Sequence, residues 1–143
     1  MLSVDARTWE FSAENSSVAR INGEVEGWLT DFDVPFAGIY LANLGVEELV
    51  TNCIKYGYPA PRTALGVISL TIDITDGCMT LTLTDDAALF NPTLQAHPDL
   101  TLAIEDRPIG GLGLHMLRQM TTEFTYVVVD GRNQTTLKKI LDG

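Results

Sequence analysis

Glu48 and Asn52 stand four residues apart in Glu48-Leu49-Val50-Thr51-Asn52, a stretch with helical periodicity. Asp85-Asp86-Ala87 follows, where an alternating, strand-like run ends, and Gly110-Gly111-Leu112-Gly113 comes last, opening a further helix. Residues at i and i+4 lie one above the other on a helix. A carboxylate so placed can orient or deprotonate an attacking hydroxyl or water. An amide oxygen one turn away is a hard, neutral ligand suited to Mg²⁺, which takes few protein atoms and keeps waters and phosphates. An acid closing a strand can accept a hydrogen bond from an exocyclic amine, whereas a base with a carbonyl there would set two acceptors face to face. Glycines before a helix let the backbone approach a phosphate, and the helix N-terminus adds free N–H groups and a positive dipole. Each motif has a plainer alternative: a polar helix edge, a turn, a hinge. Their order and the elements they fall on describe a magnesium-nucleotide pocket.

The elements that must position these groups are readable from periodicity. Arg7 to Ser12 reads as a short strand. Val18, Ile21, Val25, Trp28 and Leu29 recur at helical spacing from about Asn15 to Asp31, and Asp33-Val34-Pro35 breaks the pattern. A second helix is expected from about Phe36 to Tyr56, with Ile39, Ala42, Val46, Leu49, Val50 and Cys53 on one apolar arc. Glu48 and Asn52 flank that arc and should face a cleft edge. Ile68 to Ile74 and Met79 to Thr84 alternate as strands around Asp76-Gly77, a strong hairpin signal. Asn91 to Ile109 carries three prolines and little periodicity, which predicts a long functional loop. A third helix runs from about Gly111 to Met120, and a second hairpin turns at Asp130-Gly131. Two successive hairpins favour an antiparallel or mixed sheet with helices on one face.

Composition narrows the partners. The 143 residues suit one domain, with 45% hydrophobic and 20% charged residues, an ordinary balance for a folded core. The net charge of -10 repels a phosphate backbone, so no nucleic-acid partner is expected. It does not exclude a nucleotide, whose charge one metal ion and local backbone dipoles can offset. No stretch is apolar enough to cross a bilayer and the first residues lack signal-peptide regions, so a cytoplasmic location is expected. Cys53 and Cys78 lack metal spacing, and with only His97 and His115 beside them they are read as packing residues. The glycine segment lacks the Gly-Lys-Ser/Thr of a phosphate-binding loop and follows a lid rather than a first strand, which disfavours both common nucleotide folds.

The segment 47–58, Glu-Glu-Leu-Val-Thr-Asn-Cys-Ile-Lys-Tyr-Gly-Tyr, resembles the N box of GHKL ATPases, the superfamily of gyrase, histidine kinases and MutL. More narrowly it is similar to bacterial anti-sigma factor serine/threonine kinases of the RsbW and SpoIIAB type. The run 85–92, Asp-Asp-Ala-Ala-Leu-Phe-Asn-Pro, resembles that family's first glycine box, and 107–115, Arg-Pro-Ile-Gly-Gly-Leu-Gly-Leu-His, its second. Asn133 through Lys138 looks like its final strand. The resemblance covers about Arg7 to Ile140 and implies an α+β two-layer sandwich, with a mixed, mainly antiparallel sheet and helices on one face.

It also implies roles. Glu48 would be the general base, Asn52 the Mg²⁺ ligand, and Asp85 the reader of the adenine amine, with Ala87 and Phe90 beside it. Gly110, Gly111, Leu112, Gly113 and Leu114 would hold the phosphates of ATP, Arg107 would reach the terminal one, and 91–109 would be the lid. Thr136 sits near a threonine that helps bind adenine through water; its neighbour Thr135 is a rival, because alternation lets only one face inward. Arg20 lies where relatives contact partners, and its alternative is an exposed helix charge. Ala87 replaces an expected glycine, which would cost about 1 kcal/mol or more if the position needed a positive φ or close approach to the base. Lys55-Tyr56-Gly57 stands where relatives usually carry His-Gly.

Three functions compete at this point. The resemblance implies a kinase that phosphorylates a serine or threonine on a STAS-domain anti-anti-sigma partner, sequesters a sigma factor and forms a homodimer, with the first strand and helix as candidate surface. A nucleotide-sensing module with little or no catalysis is the alternative that Ala87 suggests and Glu48 opposes. An ATPase acting on water is the third.

Overall fold

Two Asp-Gly turns build the sheet. Asp76 and Gly77 have φ of 52° and 73°, and Asp130 and Gly131 have 52° and 75°. Positive φ at both central residues is the geometry that matches the twist of paired strands, and Asp-Gly reaches it at low cost. The structure, a computed structural model, describes residues 4–58, 66–94 and 112–141.

Five strands and three helices follow in the order β1 (Val4–Ser12), α1 (Asn15–Asp31), α2 (Phe36–Tyr56), β2 (Val67–Thr75), β3 (Cys78–Asp85), α3 (Leu112–Met120), β4 (Glu123–Val129) and β5 (Arg132–Ile140). A 3-10 turn, Pro92–Leu94, follows β3. The sheet order is β1-β2-β3-β5-β4. All four pairings are antiparallel, so the parallel pair that a mixed sheet would need does not occur among the described strands. The first strand begins at Val4, earlier than its pattern suggested, because Val4 to Ala6 pair with Asp73 to Thr75.

The helices cover one face. Ile68, Leu70, Ile72, Met79, Leu81, Leu83 and Leu137 are buried beneath Ile21, Val25 and Leu29 of α1 and Leu41, Val46, Leu49 and Val50 of α2. The opposite face is rich in threonine: Thr8 and Thr71 share a 2.8 Å hydroxyl hydrogen bond, and Thr71 pairs with Thr82. At the β1 end, Trp9 meets Trp28 edge-on, with ring centroids 5.9 Å apart, and Arg7 stacks over Trp9.

Two glycines set how low α2 sits. A Cβ on Gly45 would come within 2.8 Å of Leu137 Cδ1, and one on Gly38 within 2.7 Å of Val34 Cγ1. Both are buried on the sheet-facing side of α2. Their missing side chains let the helix that carries Glu48 and Asn52 approach β3 and β5 closely. Helix α3 has nine residues, too short to be stable alone. Leu114 and Leu117, at 1% and 0% exposure, anchor it. Each such burial contributes about 1.5–3 kcal/mol. No helix among the described residues is long and apolar enough to cross a membrane.

Candidate active site

The residues with chemistry converge on one cleft between α2, the end of β3 and the start of β5. It is partly open to solvent. Leu49, Asn52, Cys53 and Tyr56 line it from α2; Leu83, Asp85, Ala87 and Phe90 from β3 and the loop that follows; and Asn133 and Thr135 from β5. The mostly apolar lining with a few convergent polar groups suits an aromatic base.

Asp85 lies at the deep end, 8% exposed. Its Oδ1 accepts from the Ala87 N–H at 3.0 Å and from Asn133 Nδ2 at 2.8 Å. The side chain of Asn133, 4% exposed, is fully used. Nδ2 also donates to Ala88 O at 3.0 Å and Ala87 O at 3.4 Å. Its Oδ1 accepts from the Phe90 N–H at 3.0 Å and from the Tyr126 hydroxyl. Asn133 thus ties the loop after β3 onto β5. Burial first, then the charge of Asp85, push the Tyr126 hydroxyl up from its ordinary value.

Asp86 turns the other way and secures the entry to β2. Its Oδ1 accepts from the Tyr58 hydroxyl at 2.6 Å and from the Val67 N–H at 3.1 Å. Partial burial works to raise this carboxyl; the Tyr58 hydroxyl, the backbone N–H groups of Val67 and Asp86 and the charge of Arg132 outweigh it and hold it below the ordinary value. Cys53 is a free thiol. Burial first, then the neighbouring Asp85, push it up to about 12, so it is an inert packing group at neutral pH.

Ala87 sits at ordinary negative φ, since Asp33, Asp76 and Asp130 alone among the described non-glycine residues have positive φ. Its methyl is buried in the core cluster, 7% exposed. Space for it comes from Gly57: a Cβ there would lie 2.5 Å from the Ala87 Cβ. The Ala88 N–H donates to Gly57 O at 2.7 Å and fastens the loop to the end of α2. The glycine expected at 87 is therefore not needed for backbone conformation.

Glu48 lies one turn before Asn52, beyond the rim of the cleft, with its carboxylate against Gly113 at the start of α3. Burial first, then the charge of Glu47, raise its pKa above the ordinary value, while Lys55 opposes them. Asp85 and Asn52 line the cleft, and Glu48 meets the N-terminal turn of α3, whose leading N–H groups lack intrahelical acceptors. Among the described residues no cluster of three or more His, Cys, Asp or Glu is present. A lone amide oxygen is compatible with Mg²⁺ held mainly by phosphates and water.

Thr135 lines the cleft and is buried, whereas Thr136 pairs with Thr82 on the threonine-rich face. Register decides this, because Thr135 stands opposite Leu83, whose side chain points to the helices. Leu114 commits its side chain to the core, which leaves only its backbone for a phosphate, while Leu112 is exposed. Arg20 bridges to Glu24 at 3.3 Å on the α1 surface, and Glu24 also meets Arg7 at 3.1 Å. Arg107, Gly110, Gly111 and all but the start of the expected lid lie outside the described residues. Arg118 donates to Thr93 O at 2.7 Å and braces the 3-10 turn where that segment begins. Asn133 enters the sequence reading only as the start of the final strand; in the ladder it stands opposite Asp85.

The family model of the histidine kinase-like ATPase domain matches residues 11–139. The chain belongs to this family. It is 29% identical over 98 residues to the serine/threonine-protein kinase BtrW of Bordetella bronchiseptica, an alignment covering 68% of each chain. Its fold is similar to that of the RsbU and RsbW domains of Rv1364c from Mycobacterium tuberculosis, with TM-score 0.63 and 16% identity. That match covers 96% of this chain and about a third of the other, 32%.

Proposed function

We propose that this protein is an ATP-dependent serine/threonine protein kinase. Its substrate would be a serine or threonine of a STAS-domain anti-anti-sigma protein, and a sigma factor its second partner, in a cytoplasmic partner-switching circuit. The observation that carries the reading is that Asp85 and Asn52 line one cleft while Glu48, one turn before Asn52, sets its carboxylate against Gly113 at the start of α3. Similarity to a serine/threonine kinase supports the reaction type. The adenine amine donates to Asp85, and Thr135 assists from β5. Asn52 would hold Mg²⁺, which when bound neutralises phosphate charge. The backbone of 110–114 would cradle the phosphates and Arg107 reach the terminal one, as the resemblance implies. Glu48 takes the proton of the attacking hydroxyl, and its raised pKa makes it a better acceptor than an exposed carboxylate. A homodimer is part of this proposal, with β1 and α1 as the candidate surface and Arg20 as a candidate partner contact.

A sensing module without transfer has less support. Ala87 suggested it, and Ala87 sits without backbone strain. Incubation with ATP, Mg²⁺ and a STAS-domain partner, read by intact mass, tests the choice. Addition of one phosphate to the partner by the native protein, and none by Glu48→Gln, is expected. ATP binding with no transfer by the native protein would favour the sensing module.

A further inference from the structure

We infer that Asn133 sets the hydrogen-bond polarity of the base-recognition site: by locking one oxygen of Asp85 as an acceptor, it decides which bases the other position can take. The inference rests on the nucleotide-site reading above and goes beyond it, because the determinant is a residue on β5 acting through Asp85.

The argument starts from donors. Both partners of Asp85 Oδ1, the Ala87 N–H and Asn133 Nδ2, can only donate. The orientation of the Asn133 amide is itself enforced. Its Nδ2 faces the carbonyls of Ala87 and Ala88, and its Oδ1 faces the Phe90 N–H and the Tyr126 hydroxyl. A flipped amide would set oxygen against two carbonyls and an NH₂ against a backbone N–H. Burial makes such unmet groups costly. The atom of residue 85 that meets Asn133 must therefore be an acceptor, and what remains for a base in the cleft is the second atom of that side chain. With aspartate the second atom is also an acceptor, and the site prefers a donor such as the adenine 6-amino group.

The same lock makes a sharp expectation for Asp85→Asn, which keeps the shape of the side chain. Asn133 and the Ala87 N–H would hold the new amide oxygen at the Oδ1 position, so its NH₂ would take the second position. The site would then favour a 6-carbonyl base. Asn133 is a positioning residue here, and a purely structural role would change affinity for both kinds of base together without reversing their order.

The test uses ATP and ITP with Mg²⁺, titrated calorimetrically into the native protein, Asp85→Asn, Asn133→Ala and Asp85→Asn with Asn133→Ala, each checked for folding by circular dichroism. The native protein should prefer ATP by about tenfold or more, and Asp85→Asn should reverse that order. Removing Asn133 from the Asp85→Asn protein leaves the Ala87 N–H as the one remaining hold on the amide oxygen, so the preference for ITP should shrink severalfold. If Asn133→Ala does not fold, Asn133→Ser, which keeps a small polar group but cannot span Asp85 and Ala88, replaces it. The inference is overturned if Asp85→Asn does not gain for ITP relative to ATP with Asn133 in place, or if the reversal is undiminished without Asn133. A native protein that binds neither nucleotide would instead overturn the nucleotide-site reading, and this inference with it.

Discussion

The carboxylate of Glu48 occupies the space that a Cβ on Gly113 would need. The two come from α2 and α3, and their approach depends on the burial of Leu114 and Leu117. Gly113→Ala should therefore separate stability from chemistry. Alanine favours the helix by up to about 1 kcal/mol, and the atoms it would strike end a flexible side chain. Thermal stability should hold or rise, while displacement of Glu48 lowers phosphate transfer on the order of 10²-fold. Parallel melting curves and transfer assays check this.

Glu48→Gln keeps the shape and removes the base. Transfer should fall about 10²–10⁴-fold with ATP affinity little changed. Because burial and Glu47 raise the pKa of Glu48, the acid limb of the native rate profile should lie above the ordinary value of 4.5. The sign for stability is opposite. A raised folded-state pKa means that the fold favours the neutral form, and that contribution is present at low pH and lost as pH rises through the folded value. Glu48→Gln should thus be at least as stable as the native protein at neutral pH. Urea melts at several pH values, beside rate profiles, measure both.

Tyr58→Phe removes a donor from Asp86 and leaves the carboxylate with the Val67 N–H. The loss should cost about 1 kcal/mol, because Asp86 is exposed and water replaces part of the bond. The Asp86 pKa is depressed below 3.8, so this stabilisation is present above that value and lost as pH falls through the depressed one. The difference between native protein and variant should shrink in acid. Chemical denaturation at neutral pH and near pH 3 would expose a constant difference, which would contradict this account.

Gly57 and Ala87 share one space. Gly57→Ala should destabilise by about 1–3 kcal/mol, because the new Cβ meets both the Ala87 methyl and Cys53 O at 2.5 Å. Adding Ala87→Gly should recover part of the loss, but not the part due to the carbonyl. The coupling energy of a double-mutant cycle is the measurement, and strict additivity is the outcome that rejects the shared space.

Thr135→Val should weaken ATP binding, and Thr136→Val should leave it unchanged, because only Thr135 faces the cleft. Titration of both variants decides between the two threonines.

Hairpins and helices were legible because their causes are local. Asp76-Gly77 and Asp130-Gly131 carry their own turn geometry, and α1 and α2 keep the limits that their periodicity and Pro35 imply. Glu48 and Asn52 could be paired for the same reason, one helical turn. Register was less legible. Whether Thr135 or Thr136 faces the helices depends on which residue of β3 each one opposes. Ala87 raised a concern because the sign of φ is not written in a residue type. Asn133 could not be recognised at all from its surroundings in the chain. Its partners come from β3, the loop after it and β4, and an amide on a strand says nothing until those segments meet.

The glycines at 38 and 45 have a wider meaning. They seat α2 directly on the sheet that carries Asp85, so the spacing between the proposed base reader and the proposed proton acceptor is set by helix packing. On that proposal, a nucleotide docked at Asp85 is measured along a ruler to Glu48 whose length the seat of α2 sets. Enlarging residue 45 would not fill a gap; it would lengthen the ruler, and every group from Asn52 onward would miss its mark together.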